Sequence, residues 1–471
     1  MSVCSVIQNP FVMSSLSPVP LEVIILAAGK GKRMFSDTPK VLHKVAGEPL
    51  LQHVIAAAFD LKPAAVHIVV GHEAQRIKDS FPDAPVQWAL QSEQLGTGHA
   101  VAQAMPNTAD NALVLVLYGD VPLIKAETLR ALVEKGQRGA LAILTLNSTD
   151  PTGLGRIIRD AQGNATAIVE EKDASVQQKQ IKETNSGILT VPAPLLRRWL
   201  GELRNDNAQG EYYLTDIVAL AVSEGLQVET QTVNDELEVL GVNNKGQLAQ
   251  LERHHQLRIA LQMLEHGVTL ADPSRIDVRG ELQYGRDVEI DINCIFEGKV
   301  SIGNRVRIGP HVCIKNSAID DDSIIHAYSH IDGTNIGVEC AVGPFARLRP
   351  GTVLNRSSKI GNFVEIKKAT VGQGSKVSHL TYLGDATLGS DVNIGAGTIT
   401  CNYDGVNKFH TLIEDNVFVG SNTALVAPVK IGENATIGAG STITGDVPGE
   451  HLAIARGRQR NIEGWKKPVK K

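Results

Sequence analysis

Apolar residues recur at every sixth position through much of the C-terminal half of this chain, and few folds accept that spacing. One run is Ile290, Phe296, Ile302, Ile308 and Ile314; another is Ile413, Val419, Leu425, Ile431 and Ile437. A small or acidic residue often follows, as in Ile302-Gly303, Val419-Gly420 and Ile431-Gly432. Such a period matches neither a helix face nor an alternating strand. It suits a chain that turns through one flat face of a prism per repeat, so that each inward side chain stacks on the one a full coil below. The pattern predicts a parallel β-helix of hexapeptide repeats. With 44 glycines and only 4% aromatics, the chain favours tight corners over aromatic-rich packing.

The length of 471 residues leaves room for a second domain ahead of the repeats. Residues 21–245 read as α/β. Leu21–Ala27 is an apolar strand followed by a glycine-rich loop, Leu50–Asp60 has a helical pattern, and Val66–Val70 and Leu113–Leu117 are further strands. The second of these ends in Tyr118-Gly119-Asp120. Alternation of this kind predicts a mostly parallel, Rossmann-like sheet that binds ligands at the carboxyl ends of its strands. Residues 246–266 carry Leu248, Leu251, Leu257, Leu261 and Leu264 among charges and predict one long linker helix. The β-helix then spans 267–455, broken at 399–412 by a loop ejected from one coil. Residues 1–20 read as a flexible extension, and 456–471 as a basic tail, either solvated or binding.

The remaining bulk properties exclude classes of function. A net charge of −5, from 46 basic and 51 acidic residues, gives no global basic field for nucleic acid. No apolar run reaches the ~18 residues of a membrane span. Residues 1–20 contain no Lys or Arg, so they lack the basic region of a secretory signal. Cysteines at 4, 294, 313, 340 and 401 have no paired spacing, which predicts reduced thiols and a cytoplasmic setting.

Two groups of residues go beyond structure. In the first domain LAAGKGKRM (26–34) follows a strand. Its glycines let backbone amides approach phosphates, and Lys30, Lys32, Arg33 and the later Lys40 supply charge. It is not GxGxxG, which disfavours a dinucleotide fold. Asp120, just past a buried strand, is placed either to hold Mg²⁺ near a phosphate or to cap the next helix. QLGTGHA (94–100) is a second glycine turn, with Gln91 before it as a carboxamide able to read the edge of a base. In the repeats, FARLRPG, FVEIKKA, SHLTYLGD and NIGAGTITCNYDG bring Arg349, Lys367, His379 and Tyr382 near one another. Cations beside a histidine suit an anionic substrate that must lose a proton; a lone histidine would otherwise be a packing or surface residue.

LAAGKGKRM, PKVLH, EQLGTGHA, YGDVPL, GRI, IVEEKD, NSGIL, GEYYLTD and GVNN occur in this order, followed by the repeats. From residue 21 onward the chain resembles the family of bacterial bifunctional N-acetylglucosamine-1-phosphate uridyltransferases/glucosamine-1-phosphate acetyltransferases. The resemblance implies a left-handed β-helix, a homotrimer, and the substrates UTP, acetyl-CoA and glucosamine 1-phosphate. It also implies synthesis of UDP-N-acetylglucosamine for peptidoglycan and lipopolysaccharide. It gives Leu26, Ala27, Ala28 and Gly29 to the nucleotide loop, and Arg33 and Lys40 to the phosphates, Arg33 with a catalytic part. Gln91, Gly96 and Thr97 go to uracil; Tyr118, Gly119, Gly155, Glu170 and Asn185 to the sugar; Asp120 and Asn243 to Mg²⁺. In the repeats it gives Arg349, Lys367, Tyr382 and Asn393 to the sugar phosphate and His379 to catalysis. Ala396, Asn402, Tyr403, Ser421, Ala439 and Arg456 go to acetyl-CoA. Lys32 and Ser378 depart from the family's usual Thr and Gly. A nucleotidyltransferase whose β-helix only oligomerises is the rival reading, and the clustering around His379 speaks against it.

Overall fold

The structure, a computed structural model, describes residues 19–470, so the expected extension lies, but for its last two residues, outside the described residues. The chain divides into two compact units between Leu251 and Glu252.

The first unit is built on one sheet. Its order is Val228–Val233, Leu141–Asn147, Glu183–Pro192, Leu113–Tyr118, Leu21–Ala27, Ala65–Val70 and Gln87–Leu90. The central Leu21–Ala27 strand pairs in parallel with Ala65–Val70 and Leu113–Tyr118. Unbroken apolar runs suit strands covered on both faces. Successive side chains accordingly enter different cores: Val23 and Ile25 one, Ile24 and Leu26 the other. Glu183–Pro192 breaks the parallel pattern, as do Arg156–Arg159 and Ala165–Val169, which join the same sheet antiparallel beside it. Glu183–Pro192 runs antiparallel between Leu113–Tyr118 and Leu141–Asn147, with a register shift between Asn185 and Leu189.

The helix Lys245–Glu265 carries the division between the units. The leucine stripe expected along it is only partly a packing stripe: Leu257, Leu261 and Leu264 are 40%, 47% and 38% exposed. Within the second unit, Ala260 and Met263 are the residues that enter the β-helix core. Gln256 accepts from Val278 N and donates to Val278 O, both at 2.8 Å. Its carboxamide thus closes the backbone edge of the first long strand, Ile276–Tyr284.

From Thr269 to Ala453 the chain coils as a parallel β-helix. The hexad residues stack as their spacing demands. Ile290 lies opposite Ile308, Phe296 opposite Ile314, Ile413 opposite Ile431 and Val419 opposite Ile437, and all are buried. Corners need a left-handed residue, a conformation Asn and Asp tolerate best after Gly. Asn293, Asn316, Asp322, Asp391 and Asn434 take it.

The ejected loop is shorter than the hexad count suggests. Ile399 still pairs with Ala424 and Thr411 with Ala386, so only 402–410 leave the coil. Those residues fold back on themselves through a Tyr403–Lys408 bridge. The turn is held by Asp404 Oδ1, which accepts from Val406 N at 2.8 Å and Asn407 N at 2.6 Å. No helix among the described residues is long and apolar enough to cross a membrane.

Candidate active sites

The carboxyl ends of Leu21–Ala27 and Leu113–Tyr118 open into a cleft of about 230 Å³. Leu26, Ala27, Ala28, Gly29, Lys40, Gln91, Gly96, Thr97, Tyr118 and Asp120 line it, as do Val41, Gln94, Ala100 and Glu211. Gly31 has φ +57, and a Cβ there would stand 2.8 Å from Lys40 Cβ, so glycine is what admits Lys40 beside the loop. Gly96 is likewise enforced. At φ +114, a Cβ would meet Tyr212 O at 2.6 Å.

The turn after Gln91 is held from a distance. Tyr212 N donates to Leu95 O, Gly98 N to Tyr212 O, and Leu214 N to Thr97 Oγ1 at 3.0 Å. Thr97 therefore uses its hydroxyl oxygen on the protein. Gln91 is buried, and its Nε2 lies 3.1 Å from both Gly96 O and His99 Nδ1. With both amide hydrogens directed there, Oε1 is left as the acceptor.

Asp120, Lys40, Asn243 and Arg33 converge. Lys40 Nζ pairs with Asp120 Oδ2 and lies 3.5 Å from Asn243 Oδ1, to which Arg33 Nη2 donates at 2.9 Å. Val242 N bonds Asp120 O at 2.9 Å, which fixes the far end of the domain beside that strand end. Lys32 is exposed.

Gly155, Glu170 and Asn185 lie outside the lining of that cleft but join its Tyr118 wall. Asn185 N donates to Gly155 O at 2.8 Å, and Asn185 Oδ1 accepts from Gly187 N at 3.0 Å. Gly187 carries no side chain because a Cβ would stand 2.6 Å from the Tyr118 ring. Burial, then the charges of Glu170 and Asp120, push the Tyr118 phenol well above its ordinary range, so it stays a donor. Burial also raises Glu170, against a hydrogen bond from Thr215 and with Asp216 and Asp173 adding to the rise.

In the β-helix, the coil stacks one residue from each turn into a column at a corner. Asn362 pairs with His379, and Gly397 N then bonds His379 O. Asn422 N bonds Ala396 O and Gly440 N bonds Ser421 O, both at 2.7 Å. Arg456 Nη1 finally donates to Ala439 O. His379, Ala396, Ser421, Ala439 and Arg456 thus climb one corner, each a coil further on. His379 Nδ1 lies 2.9 Å from Asn362 Oδ1. An amide oxygen only accepts, so Nδ1 carries a proton, and in the neutral imidazole the lone pair is on Nε2.

On the adjoining face stand the cations. Arg349 pairs with Glu365 at 2.9 Å. Lys408, from the ejected loop, and then Arg349 hold the Lys367 ammonium below the usual lysine range. Tyr382 lies in register with Glu365, and Asn402 Nδ2 donates to Asp385. Asn393 is not part of this group: it sits in the other sheet, in register with Lys376 and Phe418. Tyr403 is exposed at the loop tip. Asn362 and Lys408 have no sequence signal of their own. The coil spacing finds Asn362 only once the register is known, and Lys408 reaches Lys367 only because the loop folds back.

Residues 23–208 match the MobA-like NTP transferase domain family. Residues 278–357 match the GMPPB C-terminal domain, and 410–445 match bacterial transferase hexapeptide repeats. Among curated relatives, the bifunctional protein GlmU of Marinobacter nauticus is 57% identical over 96% of this chain and 99% of its own length. That of Stutzerimonas stutzeri is 54% identical over 96% of this chain and 100% of its own. The chain belongs to the GlmU family. The GlmU protein of Legionella pneumophila, 56% identical over 96% of this chain and 99% of its own, agrees over the same span. As a member of this family, the chain is a bifunctional transferase with a left-handed β-helix as its second unit. It acetylates glucosamine 1-phosphate and uridylates N-acetylglucosamine 1-phosphate, giving UDP-N-acetylglucosamine for cell-wall synthesis.

Proposed function

We propose the following division of labour between the two sites. In the β-helix, acetyl-CoA lies along the His379 corner. Its pantetheine arm passes the small Ala396, Ser421 and Ala439, its phosphates meet Arg456, and Asn402 and Tyr403 flank it. Arg349, Lys367 and Lys408 hold the phosphate of glucosamine 1-phosphate, and Tyr382 and Asn393 hold the sugar. His379 Nε2 takes a proton from the 2-amine as the nitrogen attacks the thioester carbonyl and the coenzyme's sulfur leaves. The observation that carries this reading is the Asn362–His379 hydrogen bond, which leaves Nε2 as the base at the head of a column of small residues.

The product then serves the first unit. Its phosphate oxygen attacks the α-phosphorus of UTP, and pyrophosphate leaves. Both partners are anionic, so positioning and neutralisation carry the rate. The 26–29 loop cradles the phosphates, Arg33 and Lys40 neutralise them, and Gln91 Oε1 accepts the imide hydrogen of uracil beside Gly96 and Thr97. Tyr118, Gly119, Gly155, Glu170 and Asn185 hold the sugar. The donor set of Asp120 and Asn243 fits Mg²⁺, a hard ion that takes few protein oxygens and completes its shell with water and phosphate. That the two oxygens already share one cationic group supports the fit. When bound, Mg²⁺ supplies Lewis acidity and charge neutralisation.

The protein works as a cytoplasmic homotrimer. His311, Tyr328, Phe345 and Phe363 stack along one corner with centroids 4.8, 5.0 and 5.4 Å apart. These rings are exposed, and Leu380 beside His379 continues the ridge. A ridge of this kind suits burial against a second copy. Asn393, on a different face from Arg349 and Lys367, would then serve a neighbour's site.

A coupled assay tests the whole scheme. Glucosamine 1-phosphate, acetyl-CoA, UTP and Mg²⁺ should release free thiol and pyrophosphate, the latter only after acetylation. Pyrophosphate from another sugar phosphate, without thiol, would reduce the β-helix to a scaffold.

A further inference from the structure

Lys40 stands where a cation belongs. Its ammonium contacts Asp120 Oδ2 and approaches Asn243 Oδ1 at 3.5 Å, while Arg33 bonds Asn243 Oδ1 at 2.9 Å from a separate segment. Lys40 and Asp120 side chains are each 15% exposed, so water screens their attraction only weakly. The glycine at 31 leaves Lys40 its place beside the loop. An ammonium and a divalent ion set against the same carboxylate oxygen repel each other.

We infer that Lys40 is a built-in stand-in cation: without nucleotide its ammonium occupies the metal's place between Asp120 and Asn243, and it leaves when a triphosphate offers it another anion. This rests on the reading of Asp120 and Asn243 as metal ligands. Its consequence is that a divalent ion alone must displace a bound positive charge, whereas an ion arriving with a triphosphate supplies Lys40 with a new partner. Metal and nucleotide therefore favour each other's binding, and the favour is reciprocal. Premature metal loading is suppressed, and the acidic group is kept neutralised between turnovers.

The test is a titration of nucleotide-free, full-length protein with Mn²⁺, following the free ion by electron paramagnetic resonance. Lys40→Met should bind Mn²⁺ at least about tenfold more tightly than the wild type, the scale of one partly screened charge at contact distance. Lys40→Arg should not. Should Lys40→Met fail to fold by circular dichroism, Lys40→Gln carries the same expectation. Equal or weaker Mn²⁺ binding in the folded neutral variant, with binding still abolished by Asp120→Asn, would overturn the stand-in role and leave the metal site in place. Unchanged Mn²⁺ binding after Asp120→Asn in the Lys40→Met background would overturn the metal assignment itself.

Discussion

Both units meet an anionic substrate with cations, yet they assemble the place for it in opposite ways. In the first unit, Gly29, Lys40, Gln91, Tyr118 and Asp120 come from separate segments, and the sheet gathers them at neighbouring strand ends into one cleft. In the second unit, His379, Ala396, Ser421 and Ala439 come from consecutive coils and form a column on a convex corner. A sheet with loops at its ends folds a concavity out of one chain. A solenoid corner does not, and beside His379 it carries a ridge of stacked, exposed rings instead. The same contrast sets burial: the Lys40–Asp120 pair is largely covered, whereas His379 and Arg456 are exposed.

The sharpest way to break this comparison is to remove Asp120. Asp120→Ala should lower uridyl transfer by about 10⁴-fold, because several kcal/mol of charge stabilisation leaves with the metal. Thiol release should be unchanged. His379→Ala should do the converse, cutting thiol release by about 10³-fold, mid-range for a general base. Pyrophosphate release from N-acetylglucosamine 1-phosphate should survive. Loss of both activities in either folded variant would mean that the sites are not separate. If the second site is shared between copies, mixing His379→Ala with Asn393→Ala subunits should restore part of the thiol release, and no restoration would place Asn393 in its own chain's site.

Smaller effects test the supports of each site. Asn362→Ala should reduce the acetyl-transfer kcat by about tenfold, the usual loss when a histidine's orienting partner goes. KM for acetyl-CoA should stay constant, and a change in KM alone would make Asn362 a packing residue. In the first unit, burial and the neighbouring acids raise Glu170, so it takes up a proton at higher pH than an ordinary carboxylate. The protonated form loses acceptor capacity for sugar hydroxyls. KM for N-acetylglucosamine 1-phosphate should therefore rise as pH falls through that raised value. Asp173→Asn, which removes a like charge, should move the rise to lower pH; an unmoved profile would exclude Glu170 as its source.

How much of this is legible in the sequence follows the same division. A repeat of fixed period states its own register, and the stacking of Ile290 on Ile308 or Val419 on Ile437 can be counted from the spacing alone. The extent of the loop cannot, because Thr411 rejoins the ladder through backbone pairing that a side-chain pattern does not reveal. The helix Lys245–Glu265 is visible in the sequence, but not which of its faces packs. Gln256, Ala260 and Met263 bury where Leu257 and Leu261 do not, since the open end of the β-helix chooses the face. Around the nucleotide cleft, the glycine turns and Asp120 announce themselves, and the mutual contacts of Lys40, Asp120 and Asn243 do not. Those three lie far apart in sequence, and only tertiary folding brings them together.

Lys408 is the finest test of how the loop and the corner cooperate. It is the first cause of the lowered Lys367 value, so the two ammonium groups repel while no anion lies between them. A phosphate placed there relieves the repulsion, which suits the cluster to an anion. Lys408→Ala removes one attraction for the phosphate and also frees Lys367 to hold its proton to higher pH. At pH values where Lys367 is protonated in both proteins, the first effect should dominate. KM for glucosamine 1-phosphate should rise by about fivefold, the size of one solvent-screened charge contact, and its dependence on salt should weaken. In alkali the order of effects reverses. Wild-type binding should fail earlier, as Lys367 deprotonates from its lowered value, and the variant's alkaline limb should shift upward. A variant with raised KM but an unshifted limb would show that Lys408 binds substrate without sensing Lys367, and that the loop does not hold this position against the cluster in solution.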